Sequence, residues 1–169
     1  AYGGRWIDYQ LQATEQPGCV VAVAKGGKVV WERAFGVADL RTGDALTTAH
    51  RFRVASHSKT FTAVGIMKLQ EAGRLHLDDR IGTHVPGLHA LVAETTIAQL
   101  LAHASGLMRD GTRSPHWQVR APFFDAAALR AELALPLVLD ANSRFKYSNL
   151  GFGLLGLAIE AITGEPYAS

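Results

Sequence analysis

The spacing of apolar positions changes character along this 169-residue chain. Near the start, "GRWIDYQLQATEQPG" (residues 4–18) predicts a short amphipathic helix that Pro17-Gly18 ends. In "CVVAVAKGGKVVWERAFGVAD" (residues 19–39) two β-rich runs flank Gly26-Gly27, which predicts an antiparallel hairpin with a two-residue turn. "RFRVAS" reads as a short extended entry, and from about Ser56 to Ala72 the period turns helical, with Gly73 as the residue after the cap. Phe61, Val64, Ile66, Met67 and Leu69 fall nearly all round that helix, so it is expected to be central and buried.

"RLHLDDRIGTHVPGL" is a loop-rich connection. "TIAQLLAHASGL" predicts a short helix with a capping box formed by Thr96 and Gln99. Residues 108–123 are polar and irregular, "DAAALRAELAL" is a helix that Pro136 stops, and "SNLGFGLLGLAIEAITG" is a long apolar helix ending at Gly164. Strand signals are confined to the first third. A lone hairpin is marginal in water and needs further strands or a helix layer. The pattern therefore predicts part of a larger α/β (α+β) unit whose remaining strands lie elsewhere: residues 1–55 give a helix and a hairpin, and residues 56–169 give a helical region.

Composition narrows the classes. Nearly half the residues are apolar and about a fifth are charged, as in a soluble globular protein. A net charge of +2 with dispersed Lys and Arg gives no basic stripe for nucleic acid and no polybasic membrane patch. No apolar run approaches the ~18 residues of a membrane span, and no signal-peptide pattern opens the chain. The first residue is Ala1 rather than Met, so an upstream piece is expected to have been removed or never cloned. The compartment stays open between the cytoplasm and export after signal removal. The single cysteine, Cys19, sits in an apolar run and is read as a small buried hydrophobe.

The candidate chemistry begins in "RVASHSKTFTAVGIMKLQEAG" (residues 53–73). At ~3.6 residues per turn Ser56 and Lys59 share a helix face, while Ser58 points about 100° away from Lys59. A serine hydroxyl becomes a nucleophile when a nearby base takes its proton. Burial lowers a lysine's pKa and favours the neutral amine that can do so. The helix N-terminus adds backbone N–H groups for a developing oxyanion. The plain alternative makes Ser56 an N-cap and Lys59 a surface residue. "FKYSNLGFGLLG" then places Tyr147 and Asn149 at a loop-to-helix junction, a phenol able to shuttle a proton and an amide able to bind substrate or the lysine. Here too the plain reading stands beside it: a buried aromatic, and Asn149 as a helix cap.

With S-x-x-K and Y-x-N both in hand, the chain resembles the penicillin-recognising serine hydrolases: class C β-lactamases, D-alanyl-D-alanine carboxypeptidases and the related esterases and D-aminopeptidases. Four blocks match in family order: "PGCVVAVAKGGKVVWERAFGVAD", "FRVASHSKTFTAVGIMKLQEAGRLHLDD", "TIAQLLAHASGL" and "RFKYSNLGFGLLGLAIEAITGEPY". The resemblance implies a β-lactamase-like fold, an antiparallel sheet flanked by helices plus a helical region, of which this chain supplies the first strands and the helical region. It implies Ser56 as acylated nucleophile, Lys59 and Tyr147 as coupled base and acid, and Asn149 as a substrate-orienting amide. It also gives the Ser56 N–H as half of an oxyanion hole. His103 and Ser105 match a recurring family segment and are read as structural.

Two departures stand out. The Pro-Gly usual before Y-x-N is replaced within "DANSRFKYSN", where Asn142 can take the left-handed turn. The family's third motif, on a later strand that edges the site, is not in these residues. The expectation is therefore an N-terminal half completed by a C-terminal half as a second chain, the alternative being a shortened piece. The implied activity is cleavage of an amide, β-lactam, peptide or ester bond through an acyl-enzyme. The competing class is a non-catalytic penicillin-binding-like sensor or scaffold, or an inactive fragment.

Other motifs read as structural. "GFGLLG" (Gly151–Gly156) matches a dinucleotide fingerprint in letters but follows a loop rather than a strand, so close helix packing explains its glycines better. His84 and His89 flank Val85-Pro86 and share no helix face, so no metal is expected, and no cofactor. Asp78-Asp79 reads as a solvated turn, and Glu160 has no acidic partner for glycosidase chemistry. Trp117 and the pair Phe123-Phe124 line the pocket or cover it; the choice among lactam, peptide and ester substrates is left open.

Overall fold

The computed structural model describes residues 2–112 and 124–168. The chain forms two compact units, Ala1–Arg53 and Val54–Ser169.

In the first unit, helix α1 (Tyr2–Ala13) precedes strands β1 (Gly18–Lys25) and β2 (Lys28–Gly36). The strands pair antiparallel from Gly18 opposite Gly36 to Lys25 opposite Lys28, with a register shift between Val23 and Ala24. Gly26 and Gly27 both have positive φ, 57° and 74°, which matches the turn to the right-handed twist of the strands. Gly36 has φ 78°, and a Cβ there would fall on the Pro17 carbonyl, so only glycine closes the base of the hairpin. Phe35 is buried, whereas Cys19 is only half-buried, less than its apolar surroundings suggest.

The second unit opens with a 3-10 turn, Ala55–His57, that feeds α2 (Ser58–Glu71). Ala55 holds φ 45°, a left-handed conformation that costs a residue with a Cβ about 1–2 kcal/mol. Ser56 therefore lies in a tight turn before α2, and no side chain caps that helix. At its other end Gly73 has φ 66°; its N–H donates to the Gln70 carbonyl and that of Arg74 to the Leu69 carbonyl, a Schellman motif. Short helices α3 (Ala90–Ala93) and α4 (Ile97–Leu101) follow, then α5 (Ala126–Leu133) and α6 (Asn149–Thr163). The Thr96–Gln99 capping box forms as expected, and Gly164 closes α6 at φ 78°.

Helix α6 is the axis of this unit. Its Leu150, Leu154, Leu155, Leu157 and Ala158 are buried with Ile66, Leu69, Leu100 and Leu133 from α2, α4 and α5. The glycines of "GFGLLG" serve this packing: a Cβ on Gly153 would lie 2.9 Å from Leu129, and one on Gly151 3.5 Å from Leu100. The expectation for α2 needs correction. Ile66 and Leu69 are buried, but Phe61, Val64 and Met67 are 73, 53 and 42% exposed. An all-round apolar pattern says each face suits an apolar partner; it does not say that these residues supply one.

Polar residues set aside on sequence grounds hold turns. Asp79 accepts from the His76 N–H at 2.8 Å and pairs with the His84 ring at 2.9 Å. Those hydrogen bonds, the backbone one first, hold its carboxyl below the usual range. The His89 ring caps α3 through the Leu91 N–H, and Glu160 accepts from the Tyr167 N–H. No helix among the described residues is long and apolar enough to cross a membrane.

Candidate active site

Four side chains converge from two elements distant in sequence. The Ser56 hydroxyl lies 2.7 Å from the Tyr147 hydroxyl. The Lys59 ammonium donates to Asn149 Oδ1 at 2.6 Å. Lys59 Nζ also sits 4.8 Å from the centre of the Tyr147 ring and 5.6 Å from that of Phe152, within cation–π reach of both rings. Ser56 is exposed, Lys59 and Tyr147 are half-buried, so the hydroxyl pair is open to solvent while the lysine beneath is partly shielded.

The junction before α6 is pinned from several sides. Ser148, not Asn149, is the helix cap. Its buried hydroxyl accepts from the Gly151 N–H at 2.9 Å and donates to the Met108 carbonyl at 2.7 Å. The Asn149 N–H donates to the Arg109 carbonyl at 2.7 Å. With the cap supplied by its neighbour, the Asn149 side chain is left for Lys59 on one side and for Asp110 on the other, to whose Oδ1 its Nδ2 donates.

His103 is a residue the motif reading placed as structural and the structure ties to the site. It holds φ 56°, and its ring lies 4.4 Å from that of Tyr147 and 5.0 Å from that of Phe152, centre to centre. Its Nδ1 accepts from the Ser148 N–H at 3.1 Å, which fixes the tautomer with the proton on Nε2. The carbonyls of His103 and Ala104 accept from Lys146 and Asn142, and Asn142 takes φ 60° as the departure from Pro-Gly requires. Buried Ser105 accepts from the Leu107 N–H within the same segment.

Burial lowers the His103 pKa, and the Lys59 charge adds to it. Above pH ~6.5 the ring is neutral in the folded and the unfolded chain alike. As pH falls below that, the unfolded chain takes up a proton that the folded site resists, so stability is lost toward the lowered native value. Thermal unfolding should show a smaller loss of Tm between about pH 7.5 and 5.5 in His103→Gln than in the native protein. An unchanged pH slope would mean that another group carries the acid sensitivity.

Tyr147 is balanced between opposed effects. Burial pushes its phenol up, while its interactions with Lys59 and Ser56 and the Arg109 charge pull it down further, leaving it below its ordinary value. Arg109 stands 5.6 Å from the ring centre and pairs with Asp110 at 3.1 Å. A phenol so placed, hydrogen-bonded to an exposed serine, can receive that serine's proton and return it.

A hollow of about 350 Å³ adjoins Tyr147, lined by Arg109, Leu139, Arg144, Phe145 and Lys146. Phe124 is half-buried, while Trp117 and Phe123 lie outside the described residues.

The family model described as Beta-lactamase matches residues 5–169. Protein flp of Staphylococcus aureus (strain COL) is 31% identical over 165 residues, which is 95% of this chain and 33% of that protein. The octameric penicillin-binding protein homologue from Pyrococcus abyssi superposes with a TM-score of 0.81 at 28% identity, covering 97% of this chain and 39% of the other. A class C beta-lactamase superposes with a TM-score of 0.77 at 28% identity, covering 95% and 43%. The chain thus spans about a third of the length of the curated relatives it matches.

Proposed function

This chain belongs to the beta-lactamase family, and from that premise we propose that it carries the nucleophile and proton-transfer groups of a serine hydrolase. The observation that carries this reading is the 2.7 Å Ser56–Tyr147 hydroxyl contact with the Lys59 ammonium beside it. Ser56 Oγ attacks the carbonyl of an amide, lactam, peptide or ester as its proton passes to the Tyr147–Lys59 pair. The oxyanion forms against backbone N–H groups at the turn before α2, the Ser56 N–H among them. The proton then goes to the leaving group as the C–N or C–O bond breaks. Water, deprotonated by the same pair, attacks the acyl-Ser56 ester and regenerates the free hydroxyl. Asn149 serves as the amide that orients Lys59 and the incoming substrate.

Activity is proposed for the protein completed by a C-terminal segment, as a continuation or as a second chain. The greater length of the relatives supports this, as do the exposed Phe61, Val64 and Met67 of α2.

Intact-mass spectrometry under denaturing conditions, with and without a serine-reactive phosphonate, tests both parts. The expected result is a single adduct on Ser56, lost in Ser56→Ala, together with the mass of the completing segment. Adduct formation without release of an acyl substrate would replace a hydrolase by a sensor. No adduct on the complete protein would overturn the reading.

A further inference from the structure

The Asn149 amide is held between two groups that can each bind only one of its ends. An ammonium is a donor without acceptor capacity, and an ionised carboxylate is an acceptor alone. Lys59 therefore takes Oδ1, at 2.6 Å, and Asp110 takes Nδ2. An amide turned through 180° would face the ammonium with its NH₂ and the carboxylate with its oxygen, leaving both partners repelled. The orientation of Asn149 follows from the two charges rather than from the shape of its surroundings.

Asp110 is itself fixed. Its other oxygen, Oδ2, is 3.1 Å from Arg109 Nε, which offsets its charge and holds the carboxylate plane. Two residues on, Glu132 of α5 receives the Thr112 N–H at 2.9 Å and the Thr112 hydroxyl at 2.8 Å. Between them Gly111 takes φ 87° and lies so close to Glu132 and Phe124 that a Cβ would sit 2.9 Å from each. The turn 110–112 is thereby tied to the helical core on one side and to the site on the other.

We propose that Asp110 is a positioning residue of the site: it locks the Asn149 amide so that Oδ1 engages one Lys59 hydrogen and sets the direction of the remaining nitrogen valences toward Ser56 and Tyr147. The proposal rests on the serine-hydrolase reading for its kinetic consequence. Its structural consequence, a single Asn149 amide orientation, stands without it. Asp110 touches neither Ser56 nor Tyr147, so its loss should act on proton transfer through Asn149 and Lys59, and on the substrate only through the Asn149 amide.

The test uses the full-length protein and the variants Asp110→Ala, Asp110→Asn and Asp110→Glu. For Asp110→Ala and Asp110→Asn the rate of phosphonate labelling, and kcat on any ester turned over, should fall roughly 10–100-fold, with the larger part of the loss in kcat rather than in KM, as for misplacement of a reacting group. Asp110→Glu should restore part of the rate, because a carboxylate acceptor remains. A readout free of activity accompanies these: the Asn149 side-chain NH₂ signals, assigned through Asn149→Asp, should be shifted and slow to exchange in the native protein and ordinary in Asp110→Ala. Free-amide signals in the native protein overturn the lock whether or not Ser56 reacts. Labelling within twofold of native in Asp110→Ala, or a loss matched by the fraction unfolded, overturns the positioning role. Absence of native labelling with a locked Asn149 amide overturns the hydrolase reading and leaves the lock standing.

Discussion

Lys59→Ala is expected to slow acylation of Ser56 by roughly 10³–10⁴-fold, the upper part of the range for a lost general base. Three losses coincide. The amine that helps take the Ser56 proton is gone. The positive charge that Lys59 carries once protonated, 4.8 Å from the Tyr147 ring, no longer offsets the burial of that phenol, so its pKa rises and it accepts a proton from Ser56 only by way of a costlier phenolate. Asn149 Oδ1 is left without the partner it meets at 2.6 Å. Lys59→Arg separates charge from proton transfer. A guanidinium keeps the positive charge over Tyr147 but has no accessible neutral form to accept a proton. If Lys59 acts as a base, Lys59→Arg should be nearly as slow as Lys59→Ala in stopped-flow labelling with the phosphonate. Near-native labelling by Lys59→Arg would reduce Lys59 to an electrostatic role and assign the proton transfer to Tyr147 alone. Tyr147→Phe should cost less, roughly 10²–10³-fold, because it removes one proton carrier and leaves Lys59 in place.

What the sequence made legible was local. The Gly26-Gly27 hairpin, the Thr96–Gln99 box, and the C-terminal stops at Gly73 and Gly164 each need only a few neighbouring residues, and each formed as read. Ser56, Lys59, Tyr147 and Asn149 were nameable because S-x-x-K and Y-x-N are short and specific in combination; the structure brings them together across about 90 residues. The misses are non-local. Period alone made α2 buried on every face, although Phe61, Val64 and Met67 are open, because a helix pattern states what a face prefers and not what meets it. The cap of α6 is Ser148, which sets aside only the plain alternative for Asn149 and depends on where the Met108 carbonyl lies. Asp110 carried no signal at all. It is a loop aspartate 39 residues from Asn149, and only the chain path after Gly106 brings it there. The left-handed Ala55 and His103 were equally hidden, since neither residue type favours positive φ strongly enough to announce it.

Gly106→Ala is expected to be among the most destabilising single changes in the chain, by about 3–5 kcal/mol, against a total that for most domains is about 5–15 kcal/mol. Two costs add. Gly106 holds φ 81°, which costs an alanine about 1–2 kcal/mol. A Cβ there would fall on the Leu139 carbonyl oxygen, a backbone atom that cannot turn aside as a side chain would. Its own carbonyl receives the Val138 and Leu139 N–H groups at 3.2 Å, so relief of the overlap breaks the same contact that registers residues 103–107 on 138–146. That register is what lays the His103 ring against Tyr147 and gives Ser148 its second anchor. Phosphonate labelling should therefore fall in Gly106→Ala even at temperatures where helix content is retained. Gly73→Ala is the control. Gly73 has a similar φ of 66°, but no atom lies within 4 Å of the position its Cβ would take, so only the conformational cost of about 1–2 kcal/mol applies. Thermal unfolding of the two variants should differ several-fold in lost stability, with labelling near native in Gly73→Ala. Equal losses would mean that φ alone sets both costs and that the Gly106–Leu139 approach can relax without disturbing the site.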